Sequence, residues 1–296
     1  MIALSRLKED MAFTQDLAST MDAFKTAAMV QFRLFSNRKE PSDVFLEHIR
    51  DSLHLLARQG VPDGWFLGEK DFVASSLRHA PKLIVAVTSN EGFLGDLNML
   101  VINHGLQRRT NLDDEFIVIG DRGANYCEDH RERFTYFPGM DEDMNLKKIA
   151  RIQSHLLDRY GRSSKTIEIV FPEFVSFMEQ HIRTVTLLPY VIPEDAGVKR
   201  QGIELQDLLV EPDAKSAGRI LAELWVEINL HKIFYSAKKS EYAARILHLE
   251  GSLEEINYLK DKGVLAYFRQ IHALRDKTIR EISVTKILLN KRSVPL

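Results

Sequence analysis

The spacing of apolar residues predicts a long amphipathic helix near each end of the chain. Over residues 3–36, apolar or small residues recur at helical intervals and form a stripe close to a heptad seam. The stripe consists of Leu4, Leu7, Met11, Leu17, Met21, Phe24, Ala28 and Phe32. At 1.5 Å per residue this helix would be roughly 50 Å long. Pro41 follows its predicted end, and a shorter helix is predicted over residues 43–58.

The last part of the chain is predicted to form a much longer helix. Residues 213–290 contain no proline, and their apolar residues again follow helical spacing. The members are Ile220, Leu224, Ile228, Phe234, Ala243, Ile246, Leu249, Ile256 and Leu259. A continuous helix here would be on the order of 115 Å long. Gly251 and Gly263 each lower the stability of a helix by about 1 kcal/mol relative to alanine. The sequence therefore leaves open whether this helix is continuous or kinked.

The middle of the chain has short β-branched apolar runs that predict strands. These runs are Lys82–Thr88, Glu115–Gly120, Thr166–Phe171 and Thr184–Ile192. Helical patterns lie between them, after Asn98 to about Arg109 and over residues 144–160. Strands that alternate with helices predict a small, mainly parallel, Rossmann-like α/β domain. We therefore expect three segments: 1–60 with the first two helices, 61–210 with the α/β domain, and 211–296 with the long helix.

Composition narrows the classes of protein that fit this pattern. The chain has 296 residues, of which 45% are hydrophobic and 28% charged, as in ordinary globular proteins. A net charge of −2 gives no general attraction to nucleic acid or to an anionic membrane. The single cysteine, Cys127, excludes an internal disulfide and indicates a reducing compartment. No signal peptide or membrane-spanning run is predicted, so any membrane association would come through partners.

The segment Thr88–Asn98 is the strongest candidate for a binding site. It follows a strand and precedes a helix, which is where backbone N–H groups can hold a phosphate. However, it has a single Gly-x-x-Gly, formed by Gly92 and Gly95, and no lysine, while the carboxylates of Glu91 and Asp96 would repel an anion. A structural turn is therefore favoured, with Gly92, Gly95 and Asn98 as its key residues.

The other candidates have simple structural explanations. The ten histidines show no metal-ligand spacing, so no metal site and no catalytic residue are predicted. Cys127 is predicted to be structural, because acidic neighbours such as Asp129 raise the pKa of a thiol. The acidic run Asp141–Asp143 predicts a solvated loop. The tail from residue 260 onwards holds nine basic and three acidic residues, and it lacks the interleaved aromatics of a nucleic-acid site.

Four stretches resemble the gamma subunit of F-type ATP synthases, in the same order along the chain. The segment Thr88-Ser-Asn-Glu-Gly-Phe-Leu-Gly-Asp-Leu-Asn98 is similar to the family's Thr-Ser-Asp-Arg-Gly-Leu-Cys-Gly-Gly-Leu-Asn. Phe116–Gly120 is similar to its second strand, and Glu211-Pro212 to the Glu-Pro before its last helix. Ser240-Glu-Tyr-Ala-Ala-Arg245 is close to Ser-Glu-His-Ala-Ala-Arg. Together the resemblance covers almost the whole chain.

The resemblance implies an antiparallel coiled coil of the two terminal helices and an α/β domain at its foot. The coiled coil would turn inside a ring of alpha and beta subunits, and the foot would bind the epsilon subunit and the membrane ion-carrying ring. Such a rotor couples ion flow to ATP synthesis or hydrolysis and has no catalytic residue or cofactor of its own. It would lie peripherally at the cytoplasmic face of the inner or plasma membrane. Met21 would lie near the ring bearing, and Glu211 at the foot interface.

The chain also departs from the family pattern. Asp16 and Ser19 stand where the family's first helix has lysines. Counting without gaps from Ser240, Ile271-His272 fall on the family's Arg-Gln pair that contacts the catalytic ring. Arg269-Gln270, or Arg275 after a small insertion, are the candidate substitutes. A divergent or second-copy gamma subunit is the favoured explanation. The alternatives are an α/β enzyme that binds a phosphorylated ligand at the 88–98 turn, and a coiled-coil scaffold without rotor function.

Overall fold

The computed structural model describes residues 4–38, 43–58, 67–68, 81–162, 166–191, 210–211 and 213–292. Its helices are α1 (Leu4–Ser36), α2 (Asp43–Arg58), α3 (Leu97–Gln107), α4 (Asp121–Asp129), α5 (Leu146–Arg162) and α6 (Ala214–Arg292). Its strands are β1 (Leu67–Gly68), β2 (Lys82–Val87), β3 (Glu115–Ile119), β4 (Thr135–Phe137), β5 (Thr166–Phe174), β6 (Gln180–Leu188) and β7 (Tyr190–Val191). The chain forms two units. The sheet unit is Met29–Leu247, and the two-helix unit combines Met1–Ala28 with His248–Leu296.

The sheet unit is built on five strands in the order β4-β3-β2-β5-β6. β2 lies at the centre and pairs in parallel with both β3 and β5, and β4 extends the parallel part at one edge. β6 pairs antiparallel with β5 and forms the other edge. The mainly parallel α/β fold expected from the sequence is therefore confirmed. A separate pair, β1 with β7, is also parallel.

Both faces of the sheet are covered, as the continuous apolar run of β2 requires. Leu83, Val85 and Val87 point to one face, where they join buried residues of α2, α5 and the first turns of α6. Ile84 and Ala86 point to the other face, against α3 and α4. Since successive side chains of a strand alternate between faces, this one strand contributes residues to the apolar core on each face of the sheet. The helices packed on the two faces fix the position of the strand ends.

The C-terminal part of α1 and the N-terminal half of α6 belong to the sheet unit. Phe35 of α1 stacks on Tyr235 of α6, with ring centroids 4.7 Å apart, and lies 5.8 Å from the ring of Tyr242. The acidic run Asp141–Asp143 is an exposed loop, as predicted, and its middle residue also contacts this end of α1. Gln31 donates a 2.6 Å hydrogen bond to the Glu142 carboxylate, and Arg38 donates to the Glu142 carbonyl.

In the two-helix unit α1 and α6 run antiparallel. The Lys8 ammonium lies over the Tyr267 ring, Met11 lies beside Gly263, and Lys25 Nζ is 2.7 Å from a Glu250 carboxylate oxygen. As the residue number rises along α1, the residue number of its contact on α6 falls, as expected for an antiparallel pair. Between these contacts the two helices share a small apolar cluster of Ala18, Leu253 and Ile256, with Leu17 and Met21 at its edge. α6 continues through both glycines without interruption.

Several elements differ from the sequence expectation. The fourth strand, expected over Thr184–Ile192, begins earlier at Gln180 and ends at Leu188, while Ile192 lies outside the described residues. α4 and β4 were not predicted, because the segment after β3 has turn-like composition. Ile220, placed in the apolar stripe of α6, is 60% exposed, whereas Ala222 and Val226 are buried. None of the helices in the described part of the chain has a stretch apolar enough to cross a membrane.

Candidate functional site

The Thr88–Asn98 turn closes on itself through side-chain hydrogen bonds. Asn98 Oδ1 accepts a 3.1 Å hydrogen bond from the Ser89 backbone N–H, and Asn98 Nδ2 donates to Ser89 Oγ at 2.9 Å. Ser89 Oγ in turn donates to the Glu91 carbonyl at 2.7 Å. Gly95 adopts the left-handed conformation with φ of 56°, which costs a glycine little. Asn98, singled out from the sequence, thus ties the start of the turn to the first turn of α3.

A second close approach lies directly behind the turn, at the end of β3. Gly120 has φ of 111°, and a Cβ placed there would lie 2.4 Å from the Thr88 carbonyl oxygen. The Gly123 backbone N–H donates to Thr88 Oγ1 at 3.2 Å, and a Cβ on Gly123 would lie 2.4 Å from that oxygen. Both glycines let the N-terminus of α4 pack against Thr88. Sequence analysis missed these positions, although the Gly-x-x-Gly spacing after a strand was a visible signal.

Helix α6 meets the turn at Arg245. The Arg245 side chain is only 7% exposed. Its guanidinium lies 3.0 Å from a Glu91 carboxylate oxygen and 2.7 Å from a Glu241 carboxylate oxygen. Its Nε also donates a 3.3 Å hydrogen bond to the Gly92 carbonyl oxygen, across 153 residues of sequence. The turn and the Ser240–Arg245 segment, two separate motifs in the sequence, therefore form one structural site.

Lys238 completes this site from the preceding turn of α6. Its ammonium lies 3.1 and 3.0 Å from the two carboxylate oxygens of Glu241, and both side chains are 8% exposed. The ring of Tyr242 is contacted by Lys238 and by Arg245, at 5.1 and 5.7 Å from its centroid. Burial, with the nearby carboxylates, raises the pKa of Tyr242, so its hydroxyl is neutral at physiological pH. We call this set of residues, Ser89, Glu91, Gly92, Asn98, Lys238, Glu241 and Arg245, the turn–helix joint.

The joint has little room for a phosphorylated ligand. The cavity between the turn and α6 has a volume of about 20 Å³. That is enough for about one water molecule. The Ser89 backbone N–H, one of the donors that a phosphate would need, is already bonded to Asn98. Nothing in this geometry favours the alternative of a phospho-ligand enzyme.

Other candidate chemistry is equally limited in the described residues. Among them, no group of three or more His, Cys, Asp or Glu side chains is arranged to hold a metal ion. Cys127 is buried, and burial together with the charge of Glu132 raises the pKa of its thiol to about 11, against the opposing charge of Arg109. The thiol is therefore protonated at neutral pH and is a weak nucleophile.

The predicted interface residues lie at different places. Met21 is half-buried at the edge of the Ala18, Leu253 and Ile256 cluster in the two-helix unit. On α6, Arg269 and Arg275 are exposed and Gln270 is partly exposed. Glu211 belongs to the sheet unit and lies exposed just before α6, while Pro212 is outside the described residues. None of these residues belongs to the turn–helix joint, which sequence analysis did not identify as a single site.

Comparison with known proteins places the chain in a family. The family described as ATP synthase matches residues 3–281. This chain belongs to the ATP synthase family, in its gamma-chain branch. The gamma chain of Halothermothrix orenii is 24% identical over 275 residues, which cover 91% of this chain and 92% of the relative. The gamma chain of Clostridium novyi is 26% identical over 209 residues, covering 69% and 68% of the two chains.

Solved structures share the fold of this gamma-type chain. A chain of the Euglena gracilis mitochondrial ATP synthase, in an OSCP/F1/c-ring structure, matches with a TM-score of 0.73 and 16% identity. The match covers 99% of this chain and 97% of that chain. A chain of the rotor from the same organism matches with a TM-score of 0.65, covering 93% and 98%. At such low identity these matches show the fold, and they agree with the long terminal helices and the central sheet.

In this gamma-type chain Glu91 stands where the quoted family motif has arginine. In the structure the Glu91 carboxylate contacts the buried Arg245 guanidinium, so this difference from the family changes the charge beside Arg245.

Proposed function

We propose that this chain is the central rotor subunit of an F-type ATPase and couples ion flow to ATP synthesis or hydrolysis by rotation. The observation that carries the proposal is the match to a gamma chain across 91% of this chain and 92% of that relative. The antiparallel pairing of α1 with α6 supports it, because a rotor needs a stiff helical shaft. The coupled ion is a proton or a sodium ion. A scaffold without rotor function is the second candidate, and no particular observation favours it.

The partners of this rotor follow from the same proposal. The two-helix unit would contact a ring of alpha and beta subunits, and the sheet unit would contact the epsilon subunit and the membrane ion-carrying ring. The complex would hold the chain peripherally at the cytoplasmic face of the inner or plasma membrane. The chain itself would perform no chemistry. Its work would be to favour a different conformation of each catalytic subunit as it turns.

We propose Met21, Arg269, Gln270 and Arg275 as contacts with the catalytic ring. Arg269 and Arg275 are six positions apart on α6, so at 100° per residue they point about 120° away from each other. Because the proposed ring surrounds the helices, the two side chains would face different parts of it. Replacing each arginine separately by alanine would show which one carries the contact, by the loss of ATPase coupling.

Glu211 is proposed as a contact at the foot. Its exposed carboxylate lies just before the first turn of α6. Glu211→Lys should weaken binding to the epsilon subunit or the ion ring. Glu128→Lys, at another exposed position of the sheet unit, is the matched control. If Glu211→Lys leaves assembly and coupling unchanged, Glu211 is not part of the interface.

Co-purification from the native cell tests the main proposal. An affinity tag would be inserted at the tip of the β5–β6 hairpin, where Met178 is 78% exposed. Recovery of alpha and beta subunits in excess over this chain, with ATPase activity in the same fractions, supports the rotor. Recovery of the chain alone, as a monomer or dimer, contradicts it.

A further inference from the structure

The turn–helix joint contains a balance of charges that depends on one exposed residue. Two cations, Lys238 and Arg245, lie on α6 with side chains 8% and 7% exposed. One buried carboxylate, Glu241, contacts both of them at 3.0 and 2.7 Å. Glu91 of the turn supplies the second negative charge, 3.0 Å from Arg245. Without Glu91 the joint would carry one uncompensated positive charge.

Burial decides how much this balance matters. A buried charge that loses its partner is strongly destabilising, because it has given up water without a compensating contact. The Glu91 side chain is itself 65% exposed, so its own loss of hydration is small. The pair therefore mainly stabilises the buried charge of Arg245, which also donates a hydrogen bond to the Gly92 carbonyl oxygen. Glu91 thereby fixes the position of a guanidinium that touches the turn at two points.

We propose that Glu91 is a positioning residue that fastens the 88–98 turn to α6 through Arg245. With the pair intact, the turn and residues 238–247 of α6 move as one rigid piece. The turn is in addition tied to α4, because the Arg122 backbone N–H donates a 3.0 Å hydrogen bond to the Ser89 carbonyl. This charged contact adds to apolar packing between the turn and α6, where Leu94 and Leu97 form a buried cluster with Ala244. The consequence for torque transmission rests on the proposed rotor function; the contact itself does not.

Amide hydrogen exchange on the full chain tests the contact independently of any partner. Glu91→Arg should speed exchange in peptides covering residues 88–100 by about fivefold, as expected when two contacting charges are uncoupled. Glu91→Gln should have a smaller effect in the same direction, because it removes the charge without adding repulsion. Glu91→Asp keeps a carboxylate at this position and should exchange more slowly than either of the other two variants.

Glu132→Gln is the matched control for this experiment. Glu132 pairs with Arg109 at 3.2 Å inside the sheet unit and does not contact α6. It should leave exchange over residues 88–100 unchanged. The proposal is overturned if Glu91→Arg exchanges like the unmodified chain, if Glu91→Asp exchanges as fast as Glu91→Arg, or if Glu132→Gln has the same effect as Glu91→Arg.

The second measurement concerns the assembled complex. The number of ions pumped per ATP hydrolysed is measured in membrane vesicles for the unmodified chain, Glu91→Arg and Glu91→Asp. We expect the ratio to fall for Glu91→Arg and to stay near that of the unmodified chain for Glu91→Asp. If the unmodified chain fails to assemble with a ring, the rotor proposal fails while the exchange result stands. If it assembles and Glu91→Arg pumps normally, the mechanical role of Glu91 is overturned and the rotor proposal stands.

Discussion

Gly120 lies where the end of β3 touches Thr88, and this contact leaves no room for a side chain. A Cβ there would lie 2.4 Å from the Thr88 carbonyl oxygen, and the φ of 111° disfavours any other residue. We expect Gly120→Ala to lower the free energy of unfolding by about 3 kcal/mol, measured by urea denaturation. Gly251→Ala is the control: no atom lies within 4 Å of the added Cβ, and it should stabilise helix α6 by about 1 kcal/mol. Equal stability of Gly120→Ala and the unmodified protein would contradict this account.

Glu168 makes the stability of the sheet unit depend on pH. Burial by itself raises the pKa of this carboxyl group, but the Arg108 hydrogen bond and the charges of Lys82 and Arg108 outweigh burial and lower the pKa below 4.5. A folded-state pKa below the unfolded value stabilises the protein above about pH 4.5, and this stability is lost as the pH falls through the folded pKa. The urea midpoint should therefore drop steeply below that pH.

Glu168→Gln is the variant that isolates this effect. It should be less stable at neutral pH, because Lys82 and Arg108 lose their buried partner. Its urea midpoint should also fall less steeply at acid pH than that of the unmodified protein. Asp114, whose pKa is also lowered, is present in both proteins, so the difference between the two pH profiles belongs to Glu168. Parallel profiles would contradict the assignment.

At the residue scale, the sequence indicates which local motifs matter but not which side chains meet. The 88–98 turn and the 240–245 segment are each recognisable from their own amino-acid sequence. The contact between Glu91 and Arg245 is not, because 153 residues separate Gly92 from Arg245 and only tertiary packing brings these segments together. The charge of Glu91 was interpreted as repelling an anion, whereas in the structure it attracts a buried cation.

At the scale of elements, long periodic segments were predictable and short ones were not. The terminal helices and the central apolar strands were all expected near their observed positions, because each extends over enough residues to show a period. α4 has nine residues and β4 has three, too few for a periodic pattern to appear. β6 was expected to start later, since its first residues, Gln180–Arg183, are mostly polar, as suits an exposed edge strand.

The continuity of helix α6 can be tested near its start, at Ile220. Because this side chain is 60% exposed, its truncation removes little packing, but a proline there removes a helix hydrogen bond and clashes with the preceding turn. Ile220→Pro should lower the free energy of unfolding by about 3 kcal/mol or more, whereas Ile220→Ala should change it by less than about 0.5 kcal/mol. Circular dichroism during urea unfolding measures both. A stable Ile220→Pro protein would show that α6 is not continuous at this point.

At the scale of the whole molecule, the division into two units predicts separable effects of truncation. Residues 270–296 belong to the two-helix unit, whereas the buried clusters on both faces of the sheet are formed by residues of the sheet unit. Deleting 270–296 should therefore leave the sheet unit folded, with unchanged near-ultraviolet circular dichroism and protease resistance. The deletion also removes six basic and two acidic side chains, together with the proposed ring contacts Gln270 and Arg275.

We therefore expect the truncated chain to bind the catalytic ring more weakly, measured by co-purification with alpha and beta subunits. Replacing the four exposed basic residues Arg275, Lys277, Arg280 and Lys286 by glutamine in the full-length chain separates charge from length. If charge carries the contact, this variant should weaken binding as the deletion does; if helix length carries it, binding should be retained. Normal assembly and coupling of the deleted chain would place the ring contacts before residue 270, with Arg269 and Met21 as the remaining candidates.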